Sequence, residues 1–245
     1  MLRFARIQQL LRITTIAVAC LLPATMLAAE SGAIPAFSAS YTVRYGVLRG
    51  TMTLDLERRD EGYLYQTSLR PRGFASWLRK GEIRETTSLF SSDGLIRPLD
   101  YTSVDTIARP NRHANYLFDQ PPGHVTGEYK TQNVDVPMRV GGHNRISVQV
   151  AIMQSLQSGI ELSEFPVFDR SRWRDFQFEI IHDQFAETPS GDFETVEVRY
   201  ASADNKRSWS LHCATALNYL PVMIVFRREG KTKSRAVLTE YRIGD

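Results

Sequence analysis

Disulfides and any excess of one charge are both missing from the main part of this chain. Cys20 and Cys213 are its only cysteines, and Cys20 lies in an apolar N-terminal stretch. Without that stretch no internal disulfide can form, so stability must come from a packed core. One domain of this length buries about 70% of the surface that its unfolded chain exposes. A lone cysteine in an apolar strand such as Cys213 is typically a small buried side chain.

Motifs for catalysis and cofactor binding are also missing. The sequence has no Gly-x-Ser-x-Gly elbow. Gly230, Lys231 and Thr232 resemble the end of a phosphate-binding loop, but Val225 stands where that loop needs a glycine. The five histidines show no pair at helical metal-ligand spacing. We therefore expect no enzyme activity, no metal and no cofactor.

The first 29 residues have the order of a secretory signal peptide. Arg3, Arg6 and Arg12 precede an uncharged stretch of 17 residues that ends in two alanines. We expect cleavage there and a single β-rich periplasmic domain over residues 30–245. An uncut membrane anchor is the alternative, but spanning needs roughly 20 mostly apolar residues. Lipid attachment at Cys20 is disfavoured because apolar residues follow it instead of a polar tether.

Loss of the signal peptide would also balance the charge. The chain has 30 Lys and Arg against 27 Asp and Glu, and residues 1–29 hold three of the basic residues and none of the acidic ones. The remainder carries 27 of each. Nucleic-acid binding normally needs a net positive field, so we expect no nucleic-acid partner, although a local basic patch remains compatible with the sequence.

Period-two alternation dominates the sequence. In FSASYTVRY, which starts at Phe37, apolar residues alternate with polar ones, as do Met52, Leu54 and Leu56 with their neighbours. Glycine-containing turns such as RDEG and SSDG separate these runs. The pattern predicts a mainly β fold, with an antiparallel curved sheet that forms a half-barrel or open barrel.

One long helix is predicted at about residues 144–158. Ile146, Val150 and Met153 follow helical spacing, Asn144 can cap the start, and Gly159 suits the C′ position. We expect the sheet to pack against this helix.

A second, shorter segment combines aromatic and basic residues. Phe74, Trp77 and Leu78 share helical spacing between residues 73 and 80, and Arg72, Arg79 and Lys80 surround them. The plainer interpretation is a turn that caps the end of a sheet. The alternative is a lid or a peripheral membrane contact through residues 74–80, because tryptophan with flanking cations suits a lipid interface.

Residues 218–230, NYLPVMIVFRREG, contain an unbroken apolar run. Alternation puts Leu220, Val222, Ile224 and Phe226 on one face of a strand, with Pro221, Met223 and Val225 on the other. Met223 and Val225 then need a cover, which we expect from a loop of the same chain.

A family resemblance follows from the order and spacing of several segments. They include ETPSGDFETV from Glu187, VRY from Val198, Trp209, NYLPV from Asn218, GLIRP from Gly94, Phe118-Asp119 and the run from Phe37 to Tyr45. Together, over about residues 35–243, they resemble the exported bacterial family catalogued as domain of unknown function 3108. The resemblance implies an envelope protein and supplies no catalytic residue. Such proteins often have an acidic residue before the long helix, where this chain has HNR from His143.

The order of sheet, helix and late hairpin is also similar to the half-barrels of lipoprotein carriers, which hold acyl chains inside. We therefore expect a non-enzymatic module that holds a lipid or other apolar ligand in a sheet–helix groove. The alternatives are a structural or assembly factor that binds another envelope protein through its surface and, third, a hydrolase whose carboxylates only the fold brings together. The candidate groove or lid residues are Phe74, Trp77, Leu78, Ile146, Val150, Met153, Met223 and Val225.

Overall fold

Alternating side chains make most of this chain into strands. The computed structural model describes residues 33–78, 80–92, 94–162, 164–204 and 206–244. The first strands are β1 (Phe37–Tyr45), β2 (Leu48–Arg59), β3 (Gly62–Arg72), β4 (Ile83–Ser92), β5 (Leu95–Pro98), β6 (Asp100–Asp105), β7 (Arg112–Phe118), β8 (His124–Tyr129) and β9 (Gln132–Pro137). They are followed by β10 (His143–Asn144), β11 (Glu164–Asp169), β12 (Arg172–Thr188), β13 (Gly191–Ser202), β14 (Arg207–Ala214), β15 (Leu220–Arg228) and β16 (Lys231–Ile243). The helices are α1 (Phe74–Leu78) and α2 (Ser147–Ser158), with a 3-10 turn at Thr215–Leu217.

These strands form one curved sheet that does not close into a barrel. Its order is β10-β11-β12-β13-β14-β15-β16-β1-β2-β3-β4-β6-β7-β8-β9, with β5 paired to β4. The first and last strands are neighbours, since Phe37 pairs with Ile243. The predicted mainly β fold with one substantial helix is confirmed. Among the described residues, no helix has the length and apolar character needed to cross a membrane.

Helix α2 is present where the sequence predicts it, but it begins three residues later. The side-chain oxygen of Asn144 accepts hydrogen bonds from the backbone amides of Ile146 (3.1 Å) and Ser147 (2.8 Å). Asn144 therefore caps the first turn from within β10, and the first helical residue is Ser147. Gly159 ends the helix in a left-handed conformation, with φ of 68°, as predicted.

The core surrounds α2 on two sides. Ile146, Val150 and Met153 belong to a cluster with the buried side chains of β1 to β4. Val148 and Ile152 belong to a second cluster, with side chains from β11 to β14. A helix that is apolar around most of its circumference is a buried helix. The sheet therefore curves around α2, with β1 to β4 on one side of the helix and β11 to β14 on the other.

Strand β15 does not alternate as the sequence suggests. The partner of His212 is Met223 and the partner of Cys213 is Pro221, so Val222 is an extra residue at a bulge. The bulge breaks the predicted face of Leu220, Val222, Ile224 and Phe226. Met223 and Val225 are buried in the first cluster, as is Ala186 from the distal part of β12.

The cover of Met223 and Val225 therefore comes from the same chain, but from strand β12 and not from the expected loop. Strand β12 contacts β15 and β16, although it lies three and four places from them in the sheet. The ring of Phe193, just beyond the β12–β13 turn, also packs edge-on against Tyr241 with 6.2 Å between centroids. The end of this long hairpin thus lies against neighbouring strands.

Only one of the two cysteines lies in the part of the chain that the structure describes. Cys213 is fully buried, and burial raises the pKa of its thiol well above the usual range, which confirms a small buried side chain. Cys20 and the predicted signal peptide, residues 1–29, lie outside the described residues.

Candidate functional site

Polar side chains fix α2 to the sheet. Gln154 accepts a hydrogen bond from the amide of Ile96 (2.8 Å) and donates one to the carbonyl of Gly94 (2.9 Å). One turn and a half earlier, the Tyr65 hydroxyl donates to Gln149 Oε1 at 2.9 Å. Because buried polar groups are costly without partners, these bonds define one position of the helix against β3 and β5.

An ion pair between buried Glu85 and half-exposed Arg145 lies next to the start of α2. Arg145 Nε is 3.1 Å from Glu85 Oε1, and the Tyr101 hydroxyl donates to the same oxygen at 2.5 Å. The Glu85 charge raises the pKa of Arg145, whereas burial is the main cause of the raised pKa of Tyr101. An adjoining cavity of about 80 Å³ has room for a few water molecules. The pair holds the chain ahead of α2 against β4 and β6.

The predicted groove residues do not lie together at an open groove. Ile146, Val150, Met153, Met223 and Val225 are all packed within the core. An acyl chain at this position would have to take the place of core side chains. The side chain of Leu78 lies outside the described residues.

Phe74 and Trp77 lie elsewhere, on the exposed surface of α1. Trp77 is 85% exposed and Phe74 is 74% exposed. Helix α1 follows β3 and contacts β2 and β3. Serine fixes its first turn, because the Ser76 hydroxyl and amide both donate to the carbonyl of Gly73. These two aromatic rings therefore extend into solvent from a short, locally ordered helix.

The β1–β2 turn places two more apolar side chains beside α1. Val47 is 96% exposed and Tyr45 is 57% exposed. Arg49 pairs with Arg72 across β2 and β3, so the chain segments just beyond this pair, with Val47 and Phe74, lie at the same end of neighbouring strands. We call Tyr45, Val47, Phe74 and Trp77 the apolar tip.

The connections at this end of the sheet are basic, and we call it the basic end. They comprise residues 46–47, 73–82, 106–111, 130–131, 170–171, 203–206 and 229–230, of which the structure describes all but 79 and 205. Among the described residues of these connections, the basic ones are Lys80, Arg109, Lys130, Arg170 and Lys206 and the acidic ones are Glu82, Asp204 and Glu229. The strand residues that flank the connections add the basic Arg72, Arg112, Arg172, Arg207, Arg228 and Lys231 and the acidic Asp105 and Asp169. The connections at the opposite end carry Asp60, Glu61, Asp119 and Glu161 against Arg139. The balanced total charge therefore conceals two ends of opposite sign.

A shallow depression of about 300 Å³ borders the basic end on strands β12 to β15. Arg199, Arg227 and Glu179 are the charged residues that line it. Arg227 donates to the Ser210 hydroxyl at 2.6 Å. Arg199 donates through two nitrogens to Glu197, at 2.8 and 3.0 Å, which raises the pKa of Arg199. Both guanidinium groups are thereby held in place by neighbouring side chains.

Sequence reasoning found only part of this surface. Phe74 and Trp77 are recognisable from their helical spacing, whereas the alternation of β1 gives no sign of a contact surface at Tyr45 and Val47. A glycine turn flanked by exposed apolar side chains, YGV at Tyr45, is the local signal that identifies them. The segregation of charge follows from strand direction, so it becomes visible only when every connection is assigned to an end of the sheet.

Comparison with known proteins agrees with the resemblance of the sequence. A family model described as a protein of unknown function (DUF3108) matches residues 40–230. No curated protein matches the chain.

Proposed function

Since the chain belongs to the DUF3108 family, whose description states no activity, we propose a function from the geometry of the basic end. The protein is a non-enzymatic module of the cell envelope that attaches reversibly to a lipid surface through its apolar tip. In this proposal it reaches the periplasm by means of the predicted signal peptide. The observation that carries the proposal is the exposure of Trp77 and Phe74 among cationic connections.

The free energy available at the tip suits reversible attachment. Full burial of one large apolar side chain is worth about 1.5–3 kcal/mol, and four such side chains are exposed at the tip. Tryptophan and tyrosine favour membrane interfaces, because their rings are apolar while their N–H or O–H groups stay hydrated. Stable anchoring by apolar burial alone would need a longer inserted segment. The tip therefore supports contact with a lipid layer and not permanent insertion.

The surface offers a better place for a lipid than the interior. The space between sheet and helix is occupied by Ile146, Val150 and Met153, and polar side chains fix the helix there. A ligand at the tip displaces only water. Contact at the tip also keeps the lipid-binding part of the expected function while it moves the site from the groove to the end of the sheet.

Co-sedimentation with lipid vesicles tests this proposal. We expect the wild-type chain to sediment with vesicles and the double variant Phe74→Ser/Trp77→Ser to bind about 100-fold more weakly, since two aromatic anchors are lost. Phe185→Ser is the matched control, because Phe185 is 59% exposed but lies in the β12–β13 hairpin. It should bind as the wild type does.

Two results would contradict the proposal. One is wild-type protein that stays in the supernatant with every vesicle. The other is equal loss of binding in the Phe185 control, which would indicate general surface hydrophobicity. Either result would leave the expected alternative, a protein partner at the same tip, as the next hypothesis.

A further inference from the structure

Four arginines lie side by side across four neighbouring strands of the basic end. Arg235 of β16 pairs with Arg44 of β1, Arg44 pairs with Arg49 of β2, and Arg49 pairs with Arg72 of β3. Adjacent strands are about 4.8 Å apart, so the row spans about 14 Å. All four side chains are exposed. We call this set the arginine row.

The row is electrostatically unfavourable in the free protein. Like charges directly opposite each other on paired strands are destabilising. Within the residues that the structure describes, no carboxylate forms an ion pair with any of the four. By contrast, the next basic residues on the same sheet face, Arg70 and Arg84, both bind Glu82, at 2.6 and 2.7 Å. The row therefore presents four uncompensated guanidinium groups to an external anion.

The row and the apolar tip form one continuous surface. Arg44 and Arg49 flank the turn that carries Tyr45 and Val47, and Arg72 precedes α1 with its two exposed rings. When the tip is buried in an apolar layer, the row lies one or two residues behind it, at the level of the headgroups. Guanidinium groups bind phosphate oxygens through two parallel hydrogen bonds, a geometry that lysine lacks.

We propose that the arginine row binds the phosphate groups of anionic lipid headgroups and thereby selects negatively charged lipid surfaces. This inference rests on the proposed function, because the tip brings the row to the headgroup layer. The depression lined by Arg199 and Arg227 lies on the adjoining strands, since Arg235 pairs with Val225 and Val225 with Ser210. Arg199 there already has Glu197 and Glu179 as ion-pair partners, so the depression is not part of the proposed anion site.

Vesicle binding with two lipid compositions tests the inference. The wild-type chain should bind vesicles that contain phosphatidylglycerol more tightly than vesicles of phosphatidylcholine alone, and salt should weaken only the former. Arg44→Gln and Arg49→Gln should each lower the affinity for anionic vesicles about fivefold, and the double variant about 25-fold. Arg242→Gln is the control, because Arg242 is an exposed arginine at the other end of β16, opposite Ser38. Its affinity should stay within about twofold of the wild type.

Each outcome separates the inference from the proposed function. Equal wild-type affinity for both vesicle types, or wild-type affinity of the double arginine variant, would overturn the inference while the tip contact stands. Loss of vesicle binding on Phe74→Ser/Trp77→Ser, together with loss of the preference for anionic vesicles in the double arginine variant, supports both. A third arm uses soluble pyrophosphate as competitor. If pyrophosphate binds the row at micromolar concentration and the wild-type protein does not bind vesicles, the natural ligand is a soluble phosphate compound and the lipid assignment is wrong.

Discussion

Helix α2 and its contacts with the sheet, which we call the junction, differ from the basic end in how many of their side chains are buried or have bonding partners. At the junction, apolar side chains of α2 are buried on both sides, and Gln149 and Gln154 have protein partners. At the basic end, the apolar tip is exposed and the arginine row lacks carboxylate partners within the described residues. Side chains of the first region stabilise the fold. Those of the second cost free energy in the isolated protein, which is why we assign binding to them.

The largest expected effect is the loss of core packing at the junction. Ile152→Ala should lower the free energy of unfolding by about 2–5 kcal/mol, because Ile152 is fully buried and its removal leaves a cavity. Urea denaturation measures this change. Ile160→Ala, just beyond the helix at a half-exposed position, is the matched control and should cost less than about 1 kcal/mol. Similar values for both variants would show that α2 is not a core element.

The second prediction concerns the polar contacts of the helix. Gln154→Ala should cost about 1–3 kcal/mol, since it leaves the amide of Ile96 without its acceptor. Gln157→Ala on the same helix should be nearly neutral, because Gln157 Oε1 has no hydrogen-bond partner in the described part of the chain. Urea denaturation of both variants gives the comparison. If Gln157→Ala proves the more harmful, the assigned role of Gln154 is wrong.

The third prediction is a pH dependence at the junction. His143 of β10 is buried, with Arg97 nearby, and burial lowers its pKa to about 3, against about 6.5 in the unfolded chain. The unfolded state therefore binds the proton more readily, and stability falls as the pH drops from 6.5 towards 3. Between pH 7 and pH 5.5 this group removes about 1 kcal/mol.

Urea denaturation of wild type and His143→Gln at both pH values isolates that contribution. The pKa of His212 is also lowered by burial, and its contribution cancels in the difference between the two proteins. The variant should lose about 1 kcal/mol less than wild type over the interval. Parallel pH dependence in the two proteins would mean that His143 is accessible to protons in the folded state.

The smallest expected effect on stability lies at the tip. Trp77→Ser should change the free energy of unfolding by less than about 0.5 kcal/mol, because the ring is almost wholly in solvent. The same variant should weaken vesicle binding clearly. A large loss of stability would show that Trp77 stabilises the fold and does not belong to the contact surface.

The fold was largely readable from the sequence, because alternation and helical spacing are local patterns. They predict strands such as β1 and β2, the helix α2 and its end at Gly159. The bulge at Val222 was not readable, since it is set by pairing with His212 and Cys213. The arginine row was hidden for the same reason. Arg44 and Arg49 flank one turn, but Arg235 lies next to them only because β16, the last strand of the chain, pairs with β1, the first.

The contact of Trp77 with lipid is the central claim, and its fluorescence tests that claim most directly. The emission of Trp77 is obtained as the difference between wild type and Trp77→Phe, which cancels the signals of Trp173 and Trp209. On addition of phosphatidylglycerol vesicles, this difference spectrum should shift to shorter wavelength and should be quenched by brominated acyl chains. An unshifted, unquenched difference spectrum under conditions where the protein sediments with vesicles would show that another surface makes the contact.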